Sequence, residues 1–77
     1  MASWGTMMKI SYKKLWKLLI DRDMKKKELA EAAGISSASI AKLGRNENVN
    51  TDILLKICMA LKTDIADIME VVPDEDV

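Results

Sequence analysis

The sequence predicts a small all-α domain of five helices, and three observations support this fold class. Apolar side chains recur at the three- and four-residue spacing of a helix face, residues that start or stop helices separate these runs, and no segment reads clearly as a strand. The 77 residues are 49% hydrophobic. A chain of this length buries about 60% of the surface that it exposes when unfolded, which supports one core and therefore one domain.

The first helix is expected to follow Ser11, because a serine hydroxyl is a good N-cap. Its apolar stripe consists of Leu15, Leu18 and Leu19. Trp16 lies beside this stripe, where its ring is expected to close the edge of the core rather than to bind a ligand. The second helix is predicted from about Lys26 to Ala33 and ends at Gly34, since the residue after a helix often needs the positive φ that glycine adopts easily.

Three further helices complete the predicted fold. Ser36 is expected to cap the third, residues 37–43, with Gly44 as its stop. Thr51 is expected to cap the fourth and Asp64 the fifth. The apolar faces of these last two helices are Leu54, Ile57, Cys58 and Leu61 on the fourth, and Ile65, Ile68 and Met69 on the fifth.

The composition and the terminal segments narrow the classes of protein to which this chain can belong. There is no His and only one Cys, which removes the commonest general base and any intramolecular disulfide or thiolate cluster, so we expect no enzyme, cofactor or metal site. The chain has no apolar run long enough to span a bilayer and no secretory signal, so we expect a cytoplasmic protein. Residues 10–72 are expected to form the domain, with residues 1–9 disordered or introduced by cloning and residues 73–77 an acidic tail.

Charge is distributed unevenly although the whole chain is neutral. Residues 1–45 carry ten basic and four acidic side chains, a net charge of +6, whereas residues 46–77 carry two basic and eight acidic ones, a net charge of −6. A basic half can bind a polyanion while the acidic half faces away. The alternative is that these charges are ordinary solvated helix faces.

The segment from Lys26 to Arg45 has the spacing of a helix-turn-helix. Two short helices flank the glycine turn at Gly34, and Ala30 is small enough to let the second helix approach the first. Ile35 is expected to plug the turn. Two further apolar residues of the second helix, Ile40 and Leu43, are expected to point back towards Leu29 and Ala30.

At these residues the chain resembles the Cro/C1-type family of phage repressors and small bacterial regulators. The resemblance covers about residues 10–72 and is carried by the stretches ISYKKLWKLLID, KELAEAAGISSASIAKL, LLKICMAL and DIMEVV. It implies a five-helix, lambda-repressor-like fold with a central helix-turn-helix. It also implies binding of double-stranded DNA, usually as a homodimer on a near-palindromic operator.

Carried over position by position, the resemblance also implies a DNA-binding surface. The base-facing positions are Ser37, Ala38 and Lys42, and the phosphate-facing positions are Lys26, Ser36, Ser39, Arg45 and Asn46. Ser37 and Ala38 are small where many relatives carry Gln or Arg, Lys25 replaces the usual Ser or Thr cap, and Gly44 replaces a common Glu. Lys42 is therefore the expected reader of one G·C pair, with phosphate binding as the alternative.

The lysine cluster Lys25, Lys26 and Lys27 points to DNA on physical grounds as well. Cations at the positive end of a helix dipole each cost about 0.3–1 kcal/mol, and a bound phosphate would reverse the sign of that interaction. The alternative is that the three side chains extend into water.

The sequence thus predicts a sequence-specific DNA-binding transcriptional regulator without a small-molecule substrate, and the rival interpretation is a protein-interaction or antitoxin-like adaptor. A weak homodimer is expected through Ile68, Met69, Val71 and Val72.

Overall fold

Four α-helices and a two-stranded antiparallel sheet make up the described part of the chain, residues 7–74 of this computed structural model. In chain order the elements are β1 (Met8–Ser11), α1 (Lys13–Asp21), α2 (Lys26–Ala33), α3 (Ser37–Gly44), α4 (Thr51–Leu61), a 3-10 turn (Ile65–Asp67) and β2 (Glu70–Pro73). The helix-turn-helix is formed by α2 and α3. Of these two helices, α2 also packs against α4.

The prediction of an all-α, five-helix fold is wrong in two respects. The expected fifth helix is a single 3-10 turn, although Asp64 caps it as predicted and accepts the Ile65 N–H at 2.7 Å. The two ends of the domain form strands, in which Met8 pairs with Pro73 and Ile10 with Val71. The sheet closes the domain because it connects the chain on either side of the four helices.

The ends of the ordered fold differ slightly from the predicted boundaries of 10 and 72. Strand β1 begins at Met8, inside the segment expected to be disordered or introduced by cloning, and β2 includes Pro73 from the expected acidic tail. Asp74 follows β2, and its N–H donates to the Met7 carbonyl at 2.8 Å. Residues 1–6 and 75–77 of the two terminal segments lie outside the described residues.

The predicted apolar faces of the four helices pack together and form the core. Ile68, from the short turn segment after α4, is completely buried with them. Trp16 packs against the edge of this core, as expected. Cys58 is a buried free thiol, and burial raises its pKa, which favours the protonated form of a packing residue. The buried apolar residues are Tyr12, Leu15, Leu19, Leu29, Ile35, Leu43, Leu54, Ile57, Cys58, Leu61 and Ile68.

Three of the predicted helix ends shift by one or two residues. Tyr12 precedes α1 in place of Ser11, whose hydroxyl accepts the Lys13 N–H at 3.3 Å. Asn50 caps α4 instead of Thr51, because its side-chain oxygen accepts the Ile53 N–H at 3.0 Å. The chain leaves α3 after Gly44, and the left-handed residue there is Asn46, at φ 56°.

Two long cations, one on α1 and one directly after it, fix this helix to the end of α4 and to the 3-10 turn that follows. The Arg22 guanidinium donates to the Leu61 carbonyl at 2.5 Å, and the Lys14 ammonium donates to the Ala66 carbonyl at 3.1 Å. Carbonyls at a helix C-terminus lack intrahelical partners, so Arg22 satisfies one of them and also matches the sign of the helix dipole. These two cations therefore have structural roles within the fold.

Candidate nucleic-acid interface

The turn between α2 and α3 has the geometry that its residue spacing predicts. Gly34 ends α2 in the left-handed region at φ 70°, and the Ile35 N–H donates to the Ala30 carbonyl at 3.0 Å. A methyl group on Gly34 would meet nothing within 4 Å, so backbone conformation and not space calls for glycine here. Leu29, Ile35 and Leu43 are buried behind the turn, which fixes the two helices to each other.

The start of α3 is exposed and firmly capped. The Ser36 hydroxyl accepts the Ser39 N–H at 3.1 Å, and the two serine hydroxyls lie 3.2 Å apart. Ser37 and Ala38 are exposed on the first turn, and Lys42 is exposed one turn further along. Of the residues predicted on this helix, Ser39 is half-buried. The first turn of a helix also presents backbone N–H groups without intrahelical partners, which suits contact with an anion.

All three residues of the lysine cluster are exposed at the start of α2. Lys25 occupies the N-cap, and because its side chain has no acceptor, the cap is made from the other side: the Glu28 carboxylate accepts the Lys25 N–H at 2.9 Å. Lys26 lies over the ring of Trp16, with the ammonium 4.4 Å from the ring centroid. Glu28 and Trp16 thus offset part of the cost of three cations at this helix end.

Arg45 and Glu47 form an ion pair immediately after α3. Arg45 Nε donates to Glu47 Oε2, and Arg45 Nη2 donates to Glu47 Oε1 at 3.4 Å. Their hydrogen bond and opposite charges raise the pKa of Arg45 and lower the pKa of Glu47. The arginine expected to bind phosphate therefore already has an anionic partner within the chain.

Tyr12 anchors the loop of residues 45–50, and the sequence alone did not indicate it as a site residue. Its N–H donates to Asn46 Oδ1 at 3.1 Å, and its hydroxyl donates to the Glu47 carbonyl at 2.9 Å. Asn46 therefore uses its side-chain oxygen inside the fold and keeps its amide NH2 for an external acceptor. No local sequence signal marks this pairing, since the partners lie 34 and 35 residues apart.

The residues predicted to bind DNA fall into three groups in the structure. They lie at the start of α2, on the outer side of α3 and directly after α3. Tyr12 and Glu47, which were not predicted, determine the geometry of the third group. The fold and these groups define the class of protein, a helix-turn-helix domain with an exposed second helix.

Comparison with known proteins identifies the family within this class. The family model of the Cro/C1-type HTH DNA-binding domain matches residues 14–74, and the chain belongs to that family. The chain is also similar to a transcriptional regulator, VanUg, in its crystal structure of Form II. The two chains are 54% identical with a TM-score of 0.84, and the match covers 96% of this chain and 99% of VanUg. No curated protein matches the chain.

From Met7 to Asp74, no helix is both long and apolar enough to cross a membrane. Over the same stretch, no three His, Cys, Asp or Glu side chains are grouped as they are around a metal ion.

Proposed function

We propose that this protein is a sequence-specific transcriptional regulator that binds double-stranded DNA as a homodimer on a near-palindromic operator. The observation that carries the proposal is the exposed first turn of α3, held by the Ser36 cap and the buried turn at Ile35. A helix presented in this way fits the major groove, where base edges differ among the four base pairs. The proposal includes a cytoplasmic location and no catalytic activity, cofactor or small-molecule substrate.

The exposed side chains divide into two roles under this proposal. Phosphate contacts position the domain without carrying sequence information, whereas contacts to base edges specify the site. The phosphate-binding residues are Lys25, Lys26, Lys27, Ser36, Ser39, Arg45 and Asn46. The base-reading residues are Ser37, Ala38 and Lys42.

A second copy of the chain is the partner that we assign to the outer face of α4. Leu55 and Met59 lie on this face with 56% and 69% of their surface exposed, and the half-exposed Ile65 lines one surface pocket together with Leu55. Of the four residues first expected at the dimer contact, Ile68 is completely buried and unavailable to a partner, whereas Met69, Val71 and Val72 keep part of their surface exposed. We propose the α4 surface, defined as Leu55, Met59 and Ile65, as the main contact between copies.

The order of residues along α4 is self-complementary, which favours a second copy over an unrelated protein. A two-fold axis across the middle of α4 would bring Leu55 of one copy to Met59 of the other, and Asp52 to Lys62, since both pairs are symmetric about residue 57. Asp52 lies in the first turn of α4 and Lys62 directly follows the helix, so they would flank the apolar contact at both ends. Within one chain Asp52 pairs with Lys56 at 3.1 Å, and contact with Lys62 of the partner would exchange or share this ion pair. Both are exposed.

DNA binding is tested first through the lysine cluster. Replacing Lys25, Lys26 and Lys27 together with Gln is expected to weaken binding to operator and random duplexes alike. The dependence of log K on log salt should flatten by about 0.9 for each phosphate that the protein no longer neutralises. Titrations of labelled duplexes at several salt concentrations measure both quantities. Stability should hold or rise slightly, because relief of the dipole conflict, about 0.3–1 kcal/mol for each lysine, offsets removal of the Lys26–Trp16 interaction, about 0.5–1 kcal/mol.

The matched control replaces the same three lysines with Arg, which keeps the charges and should keep both the affinity and the salt slope. Unchanged affinity of the Gln variant for random DNA at low salt would show that the cluster only faces water. A wild-type protein that binds no duplex, in any salt, would contradict the proposed function itself. That result would favour the protein-interaction or antitoxin-like adaptor.

A further inference from the structure

Glu47 is an acidic residue in a part of the chain that is otherwise free of acids. Between Glu31 and Asp52 it is the single acidic side chain, and this interval contains all of α3. It follows α3 directly, beside residues that the proposed function assigns to DNA. A carboxylate near phosphate is repelled, so its presence there calls for an explanation.

The backbone of Glu47 is fixed from two sides. Its N–H donates to the Lys42 carbonyl at 2.9 Å, and its carbonyl accepts the buried Tyr12 hydroxyl at 2.9 Å. The side chain projects from this anchored backbone and keeps 45% of its surface exposed. The position of the carboxylate is therefore set by the fold, while the carboxylate itself takes no part in holding the backbone.

The carboxylate occupies one of the two edges of the Arg45 guanidinium that can bind a phosphate with two hydrogen bonds. Two nitrogens, Nε and Nη2, donate to the two carboxylate oxygens. A guanidinium binds phosphate with the same two-point geometry, through this edge or through its Nη1–Nη2 end. A DNA phosphate therefore either displaces Glu47 from the Nε–Nη2 edge or binds the remaining end of a guanidinium whose charge the carboxylate already balances.

We propose that the Glu47 carboxylate is an internal competitor for DNA phosphate, which holds the Arg45 guanidinium in the free protein and lowers its affinity for DNA. The inference rests on the proposed function and deepens it, by naming a residue that sets affinity. When DNA displaces it, the carboxylate is left unpaired beside the phosphates and takes up a counter-cation from solution. The cost falls on every sequence equally, so Glu47 suppresses binding to random DNA without reading bases.

The test compares the wild type with Glu47→Gln, which keeps the size of the side chain and removes its charge. Affinity for a random-sequence duplex is expected to rise about twofold to tenfold at low salt, because phosphate no longer competes with an ion pair and meets no carboxylate. The slope of log K against log salt should steepen by up to about 0.9, since no counter-cation is taken up on binding. Equal thermal melting of the two proteins would confirm that the backbone hydrogen bonds of Glu47 persist.

Two matched variants separate competition from a general gain of charge. In an Arg45→Gln background, Glu47→Gln should bring a smaller gain, because the guanidinium over which the anions compete is gone and only the repulsion between carboxylate and phosphate is relieved. Asp64→Asn changes the net charge equally at the 3-10 turn, keeps a capping oxygen for Ile65, and should leave DNA binding unchanged.

Three results would overturn the inference: unchanged or weaker DNA binding by Glu47→Gln, an equal gain from Asp64→Asn, or a full gain in the Arg45→Gln background. Each presupposes that the wild-type protein binds DNA in a salt-dependent way. Absence of any such binding by the wild type would instead contradict the proposed function, so the two failures are distinguishable.

Discussion

Tyr12 connects the sheet and α1 to the loop that follows α3. It is almost completely buried, at 1% exposure, and it bonds to two residues of that loop, Asn46 and Glu47. Its position matters for function because the loop carries Arg45, a proposed phosphate ligand. A residue of the core thus fixes the geometry at the end of α3, the helix that we propose contacts DNA.

The first prediction concerns the ionisation of Tyr12. Burial raises its pKa above 10.0, because the charged phenolate is poorly solvated inside the domain. Since the folded pKa exceeds the unfolded one, the stability that this group contributes is fully present below pH 10 and is lost as the pH rises through the folded value. Tyr12 is the chain's single tyrosine, so the ultraviolet absorbance of tyrosinate reports its titration directly.

The control is Tyr12→Phe, which keeps the buried ring and removes the hydroxyl. Loss of the hydrogen bond to the Glu47 carbonyl should cost about 0.5–1.5 kcal/mol of unfolding free energy at neutral pH. The difference between the two proteins should shrink as the pH rises above 10, because only the wild type loses stability by ionising this group. A wild-type tyrosine that titrates below 10, or a difference that grows with pH, would contradict the prediction.

The second prediction concerns base reading by Lys42. Its side chain is exposed on α3, whereas its carbonyl is bonded to the Glu47 N–H at 2.9 Å, so Lys42→Ala should leave the loop intact. A lysine contact to guanine O6 and N7 discriminates by about 1–3 kcal/mol, and the variant should lose preference at one G·C position of each half-site. Selection from a randomised operator library measures this. An equal loss of affinity for all sequences would mean that Lys42 binds a phosphate.

At the scale of elements, the two glycines that flank α3 are expected to respond in opposite ways to alanine. Gly34→Ala forces a Cβ into the left-handed region at φ 70°, which costs about 1–2 kcal/mol. Gly44 lies within α3, and an added Cβ meets nothing within 4 Å, so Gly44→Ala should stabilise the domain by about 0.5–1 kcal/mol. Thermal melting measures both, at about 4–8 °C per kcal/mol.

An added methyl group meets no atom within 4 Å at either glycine. A difference in stability between Gly34→Ala and Gly44→Ala therefore reports backbone conformation and not packing. Each glycine variant serves as the control for the other, since both add one methyl group at an exposed position beside the same helix. Destabilisation by both variants would contradict the expected gain at Gly44, the last residue of α3. Because Gly34 has a positive φ and Gly44 does not, we expect Gly34→Ala to lower the free energy of unfolding and Gly44→Ala to raise it.

The helix-turn-helix was predictable from sequence because its signals are local. Gly34 and Ile35 are adjacent, and Leu29 and Leu43 lie within fifteen residues of each other, so spacing alone indicates how they pack. Exact helix ends were less predictable, because neighbouring residues compete for one role: both Asn50 and Thr51 are good N-caps. The sequence supports an exact cap less well than it supports the existence of the helix.

The sheet and part of the site could not be predicted because they depend on distant pairs. Ile10 and Val71 pair across 61 residues, and strands of four residues are too short for alternation to stand out. The roles of Tyr12 and Glu47 could not be predicted for the same reason, because their hydrogen bond spans 35 residues. The local pattern therefore predicted the helix-turn-helix and its exposed second helix, while the residues that position the loop after α3 required the structure.

At the scale of the whole molecule, the proposal requires that two domains occupy one operator. The proposed base-contacting side chains Ser37 and Ala38 are small, so a single helix-turn-helix contacts too few base pairs for useful specificity. Two copies on half-sites separated by one turn of DNA, about 34–36 Å, double the number of bases read. The α4 surface supplies the contact between copies under our proposal, and it leaves the exposed first turn of α3 free.

The last prediction is that Met59→Lys weakens association of the free protein and lowers the ratio of affinities for a full operator and an isolated half-site. The substitution puts a cation into the apolar contact between Met59 and Leu55 of the partner, and burying an unpaired charge is costly. Because Met59 is 69% exposed in the single chain, the fold should persist. Sedimentation and footprinting measure association and occupancy.

Ile20→Lys is the matched control, since Ile20 lies on α1 with 77% of its surface exposed and the change adds the same charge. Any general gain in DNA affinity from the added cation appears in both variants and cancels in the ratio of operator to half-site. If the two variants have the same ratio of affinities for operator and half-site, α4 does not form the dimer interface. Footprints of a wild-type protein that always occupies one isolated half-site would contradict the homodimer itself, because one protomer would then suffice for recognition.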